Sequence, residues 1–339
     1  MIKEHIEKVV DGQHLSFAET HKVMLHIMNG EVNNAQIAAL LIALKCKGET
    51  AEEVAGFAQA MRDKAVKIKS NSANTIDVCG TGGDYSGTFN VSTAAAFVVA
   101  GAGVKVAKHG NRSISSKSGS ADVLEKLGIN ISLPPEHSQK ALNELGITFL
   151  FAPNHHPAMK HVATVRKELG MKTIFNILGP LTNPAGTKKQ LIGTFNTHIA
   201  HTMAQAAQKL AMEKVCFVCT ANKFDEISLT EETEVHEYSS SEGIKKYVIS
   251  HKTFDFPKIN AQELKGDSPE RNAEILLDVL IHKRRNPVYF VTVANAAMAL
   301  YSADYSNDLK QCAAVAEESI LSGKALDKLN QLREFGKKI

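Results

Sequence analysis

Residues 75–93, TIDVCGTGGDYSGTFNVST, run from a short apolar segment through four glycines into the alanine-rich stretch AAAFVVAGAG at 94–103. Strand, glycine-rich loop and helix in that order form the repeating unit of a parallel sheet with crossover helices. Glycines let a backbone approach an anion closely. The hydroxyls of Thr88, Ser92 and Thr93 can donate to phosphate oxygens, and a helix start offers free N–H groups. The loop reads as a phosphate cradle. It lacks the G-K-[ST] of a Walker loop and the spacing of a dinucleotide G-x-G-x-x-G.

The same placement recurs at 108–120, KHGNRSISSKSGS, where Lys108, Arg112 and Lys117 stand among serines and glycines. Such a loop supplies point charges and short donors for a diphosphate. Further strands are expected at GVKVAKHG, ITFLFAP, KQLIGTF, KVCFVCTA and KKYVIS, with helices between them. Two anion-type loops at the carboxyl ends of neighbouring strands would face one crevice. A third feature follows KVCFVCTA: Asp225 and Glu226 in NKFDEISL. Adjacent carboxylates on a turn can share a hard cation, and Mg²⁺ takes one or two of them together with substrate phosphates.

Outward from the sheet, residues up to about 70 read as helical, with three capping boxes: Ser16 with Glu19, Asn33 with Gln36, Thr50 with Glu53. HPAMKHVATVRKELG and FNILGPLTNPA give a helix and a Gly-Pro, Asn-Pro loop that interrupt the sheet pattern and fold back toward those helices. The division is a helical bundle over 1–70, joined by roughly 156–190, and an α/β unit over 71–339. Arg166, ten residues after His156, reads on its own as a surface charge.

Composition excludes little. Hydrophobic residues make up 44% and charged residues 22% of 339, the net charge is +3, and the lysines are scattered, so neither nucleic acid nor a membrane is implied as a partner. The start MIKEHIEKVVDG carries charge too often for a signal peptide, so the expected location is the cytoplasm. The five cysteines are odd in number, and Cys216 and Cys219 lie in an apolar strand where residues three apart face opposite sides. A disulfide framework is not expected.

GTGGD at 80–84, NVST at 90–93, KHGNRS at 108–113, SGSADVLE at 118–125 and FNILGPLTNP at 175–184 together resemble the anthranilate phosphoribosyltransferases, in order and along essentially the whole chain. The resemblance implies a small all-helical domain, through which members dimerise, and a larger α/β domain with a mostly parallel central sheet. It implies that Gly80, Gly83, Asp84, Thr88, Asn90, Val91, Ser92 and Thr93 line 5-phosphoribosyl 1-diphosphate, with Lys108, His109, Gly110, Asn111, Arg112, Ser113, Ile114, Ser115, Ser116 and Ser120. Two Mg²⁺ ions would be held, one by Ser92 and Glu226 and the other by Asp225 and Glu226. Anthranilate would meet Gly80, Asn111, His156 and Arg166, and this match reverses the bland reading of Arg166. No general base is implied, because an aromatic amine is neutral near pH 7. The competing readings are a pyrimidine nucleoside phosphorylase, which shares the architecture but has no diphosphate for a metal pair to serve, and a non-catalytic nucleic-acid-binding relative, which should show a basic stripe.

Overall fold

The computed structural model describes residues 2–83, 86–113 and 117–339. The expectations placed on Asp84, Ile114, Ser115 and Ser116 lie outside the described residues. The chain opens with α1 (Ile2–Val10), α2 (Phe17–Met28), α3 (Asn34–Lys47) and α4 (Ala51–Lys64). Ser16 and Thr50 close reciprocal capping boxes on α2 and α4, which satisfy first-turn amides that a helix cannot pair internally. At Asn33 the expected box is reduced to its forward bond, Gln36 N donating to Asn33 Oδ1 (2.9 Å).

From residue 75 strands and helices alternate. They are β1 (Thr75–Gly80), α5 (Val91–Gly101), β2 (Lys105–Gly110), α6 (Ser120–Lys126), α7 (Pro135–Leu145) and β3 (Ile147–Phe151). The short α8 (Ala152–His155), α9 (Lys160–Leu169) and α10 (Phe175–Leu178) then leave the sheet. The chain returns with β4 (Lys189–Gly193), α11 (Thr197–Lys209), β5 (Lys214–Thr220), β6 (Thr233–Ser239) and β7 (Gly243–Ile249). It ends in α12 (Pro269–Leu277), α13 (Pro287–Ser302), α14 (Leu309–Leu321) and α15 (Lys324–Gly336).

Among the described residues one seven-stranded sheet forms, in the order β3-β2-β1-β4-β5-β6-β7. The first five strands are parallel, and β6 and β7 are antiparallel. Every expected strand is present, but β6, TEVHEYS, is one that sequence reading passed over. Its Glu234, His236 and Glu237 interrupt the apolar pattern. Their partners are specific: His236 Nε2 pairs with Glu234 (2.7 Å), and Tyr247 and Tyr301 both donate to Glu237.

Strand order changes direction at β1, because the chain builds β2 and β3 on one side and β4 and β5 on the other. Ligands of open α/β sheets bind outside the carboxyl ends at such a switch point. Side chains alternate across the strands, so two cores form. Leu191, Cys216 and Val218 face one core with α5 and α13. Ile192, Val215 and Phe217 face the other with α11, and that core runs on without a break into α1 to α4 and into Val162, Val165, Phe175 and Leu178 of α9 and α10. Cys216 and Cys219 are buried in β5 with no disulfide.

Candidate active site

β1 ends at Gly80, and the chain keeps to the sheet for one more bond, Thr81 N donating to Gly193 O (2.9 Å). It then turns under Asp225, whose Oδ2 accepts from Gly82 N (2.9 Å). The exit of the loop is tied elsewhere: Phe89 N donates to Leu264 O and Gly266 N to Gly87 O. The entry of the loop is thus fixed to the sheet and its exit to the segment at 264–266.

Asn90 joins this loop to the second one. Its Nδ2 donates to Ser118 O (3.3 Å), and its Oδ1 accepts from Asn272 Nδ2 (2.9 Å). Lys108 reaches back beneath both loops, its buried ammonium donating to Val78 O (2.6 Å) and to Ser92 Oγ (3.1 Å). Burial lowers its pKa, an effect that the nearby Asp77 opposes. Ser92 is half-buried beside it, as are Thr88, Gly110, Ser113 and Ser120, while Asn111 is exposed. Val91 and Thr93 stand apart. Both are buried, and the Thr93 hydroxyl has no hydrogen-bond partner among the described residues.

Two expected point charges are committed within the fold. Arg112 forms a fork onto Glu125 of α6 (2.6 Å from each terminal nitrogen) and also meets Asp122, while Lys117 pairs with Asp267. Asp122 itself closes the loop, accepting from Ser113 N (3.0 Å) and Gly119 N (2.9 Å). The Arg112–Glu125 and Lys117–Asp267 pairs both lie at the surface, with the Lys117 side chain 78% exposed.

Asp225 and Glu226 lie on a bend after β5. Ile227 N donates to Asn295 Oδ1 (3.1 Å) and Asn295 Nδ2 donates back to Ile227 O (2.9 Å), which pins the bend to α13. Glu226 is buried, 7% exposed. A Cβ on Gly193 would sit 1.5 Å from Asp225 O, and one on Gly80 would sit 2.6 Å from Asp225 Oδ2. Two strand ends without side chains are therefore what admits Asp225 to the switch point.

On the other side of β2, the His109 and His156 rings lie 5.2 Å apart. The Nε2 atom of each ring is buried without a hydrogen-bond partner among the described residues. Burial pushes the His156 pKa down to about 4 and that of His109 well below the usual range, so both rings are neutral at pH 7. Arg166 on α9 is half-buried and lies 5.3 Å over the Phe175 ring, so it is not a fully solvated surface charge.

The helical residues 3–65 match the glycosyl transferase family, helical bundle domain, and residues 72–326 match the glycosyl transferase family, a/b domain. An anthranilate phosphoribosyltransferase from Thermoanaerobacter sp. (strain X514) is 44% identical over 339 residues, 100% of both chains. One from Petrotoga mobilis is 45% identical over 335 residues, 99% of this chain and 97% of that one. The chain belongs to the anthranilate phosphoribosyltransferase family.

Solved structures agree. The Thermus thermophilus anthranilate phosphoribosyltransferase superposes with a TM-score of 0.92 at 38% identity, covering 98% of this chain and 99% of that one. The Saccharomyces cerevisiae anthranilate phosphoribosyltransferase in complex with PRPP and Mg gives 0.91 at 28% identity, covering 100% and 98%. Membership sets aside the nucleoside phosphorylase and nucleic-acid-binding readings.

For an anthranilate phosphoribosyltransferase, the acidic pair fits magnesium by its donor chemistry. Among the described residues no three His, Cys, Asp or Glu side chains gather into a metal cluster. Two hard carboxylates at a phosphate-type loop suit a cation whose remaining ligands are substrate oxygens and water.

Sequence reading missed a network beneath this site. Asn183 Nδ2 donates to Asp77 Oδ2 (2.8 Å) and to Ala107 O (2.8 Å), and His109 N donates to Asp77 Oδ1 (3.1 Å). The network fastens the FNILGPLTNP segment to the sheet.

The buried histidines carry a pH prediction. An unfolded histidine gains its proton near 6.5, whereas folded His156 gains it only near 4. Between those values the unfolded chain binds more protons, so stability falls as pH falls through that window. Thermal unfolding should come earlier at pH 5 than at pH 7. His156→Asn should make that decline shallower, and an unaltered decline would count against the assignment.

Proposed function

We propose that this chain transfers the phosphoribosyl group of 5-phosphoribosyl 1-diphosphate to the amine of anthranilate, giving N-(5-phosphoribosyl)anthranilate and diphosphate in tryptophan biosynthesis. The observation that carries the reading is the meeting of Gly82 N with Asp225 Oδ2 at the switch point, where a phosphate-type loop and a carboxylate pair share one edge.

In this reading the diphosphate lies along the glycine loop and the loop that follows β2. The glycine loop, Thr88, Ser92 and residues from Lys108 to Ser113 contact its oxygens. Ser92 and Glu226 would hold one of two magnesium ions, and Asp225 with Glu226 the other. Magnesium, when bound, supplies the positive charge that stabilises the departing diphosphate. Lys108 keeps Ser92 Oγ in place from below. As the bond from the anomeric carbon lengthens, fixed donors around the leaving group lower the barrier because they need not reorganise. The neutral aromatic amine needs orientation more than deprotonation. Asn111, His156 and Arg166 orient it, with Arg166 on the carboxylate.

The helices to residue 70 with residues 156–190 form one unit in this proposal, and two chains pair through it in the cytoplasm. Light scattering of the purified chain tests the dimer. The reaction is tested by supplying anthranilate, phosphoribosyl diphosphate and magnesium beside thymidine with phosphate. Product from the first mixture is expected, and phosphorolysis in the second would overturn the reading.

Gly83 gives a sharper check. Its φ is +73°, and a Cβ there would lie 2.9 Å from Lys172 Cε. Gly83→Val is strained in both respects. It should weaken phosphoribosyl diphosphate binding at least about tenfold, the size of one lost charge-assisted contact, with little effect on anthranilate. Calorimetry showing equal losses for both ligands would reject the role of the loop.

A further inference from the structure

Lys172 belongs to none of the motifs above. It follows α9 on the helical side of the crevice, yet its side chain crosses to the α/β side. Its ammonium sits 3.6 Å above the centre of the Phe195 ring, just past the end of β4. A Cβ built on Gly83 would lie 3.5 Å from the same ammonium nitrogen. A cation held over an aromatic face is attracted by the ring quadrupole, so this one is held in a preferred place rather than swept through solvent. Its backbone is anchored as well, because Lys45 Nζ of α3 donates to Lys172 O (2.8 Å).

The position has a consequence for charge at the glycine loop. Lys172 brings a cation to the loop from outside it, half-buried and close to Gly83.

We propose that Lys172 is a further binding residue for the diphosphate of phosphoribosyl diphosphate, delivered to the glycine loop from the helical side. The inference rests on the proposed function, since it needs a diphosphate on that loop. Bound diphosphate then contacts both sides of the crevice, and Lys45 passes the load to α3.

The test is calorimetry of the full-length chain with phosphoribosyl diphosphate plus magnesium, and separately with anthranilate, for wild type, Lys172→Met and Lys172→Arg. Removing one charge-assisted contact should weaken phosphoribosyl diphosphate binding in Lys172→Met by about ten- to a hundredfold. Anthranilate binding should stay unchanged, and Lys172→Arg should stay within roughly threefold of wild type, since it keeps the cation and its stacking. Lys172→Gln, which keeps a polar side chain, repeats the comparison if the methionine variant melts early, and it should lose binding in the same way. Lys172→Met or Lys172→Gln within about twofold of wild type overturns the inference, as does an equal loss for anthranilate. A wild-type chain that takes up no phosphoribosyl diphosphate overturns the proposed function itself.

Discussion

Asp225→Asn combined with Glu226→Gln should remove magnesium-dependent turnover and leave the fold intact. The amides keep the shape of the acids, and the amide carbonyl introduced at position 225 can still accept from Gly82 N, so the bend held by Asn295 has no reason to move. Glu226 is buried, and a neutral amide there is easier to desolvate than a carboxylate. What disappears is negative charge for a hard cation to bind. Lewis-acid stabilisation contributes several kcal/mol to such transfers, so the rate at saturating substrate should fall on the order of a thousandfold or more. The measurement is a magnesium titration of initial rate beside a thermal melt. A normal melt with a normal titration would show that the metal is held elsewhere.

The second large effect is expected at Arg166. A guanidinium can pair with the anthranilate carboxylate through two parallel hydrogen bonds, which lysine cannot reproduce. The Phe175 ring beneath it and its partial burial limit the directions in which the fork can point. Arg166→Ala should cost about 1.5–3 kcal/mol, or roughly ten- to a hundredfold in kcat/KM for anthranilate, while phosphoribosyl diphosphate binding changes little. Aniline, which lacks the carboxylate, separates the explanations. If wild type and variant differ as much with aniline as with anthranilate, Arg166 is not reading that group.

The parts of the molecule that were legible in advance are those whose reason is local. TIDVCG turns into a glycine loop within a few residues, and Ser16 with Glu19 caps a helix over a single turn. β6 escaped because Glu237 looks like a surface residue until Tyr247 and Tyr301, from other elements, donate to it. Asp77 and Asn183 are 106 positions apart, and no pattern in either neighbourhood announces the bond between them. Arg112 reads as a charge on its loop, and its pairing with Glu125, thirteen residues on, is not legible there. Composition reports which charges are present, and pairing decides which remain open.

The apolar interior shared by α1 to α4 with Val162, Val165 and Phe175 has a consequence for how the molecule is made. As the chain leaves the ribosome, the first helices emerge with much of their greasy surface uncovered. About a hundred residues must be synthesised before α9 and α10 arrive to cover it. At 5–20 residues per second that delay is on the order of five to twenty seconds, long enough for a nascent chain to seek a chaperone or another copy of itself. A fragment ending near residue 65 should accordingly be sticky and poorly cooperative in melting.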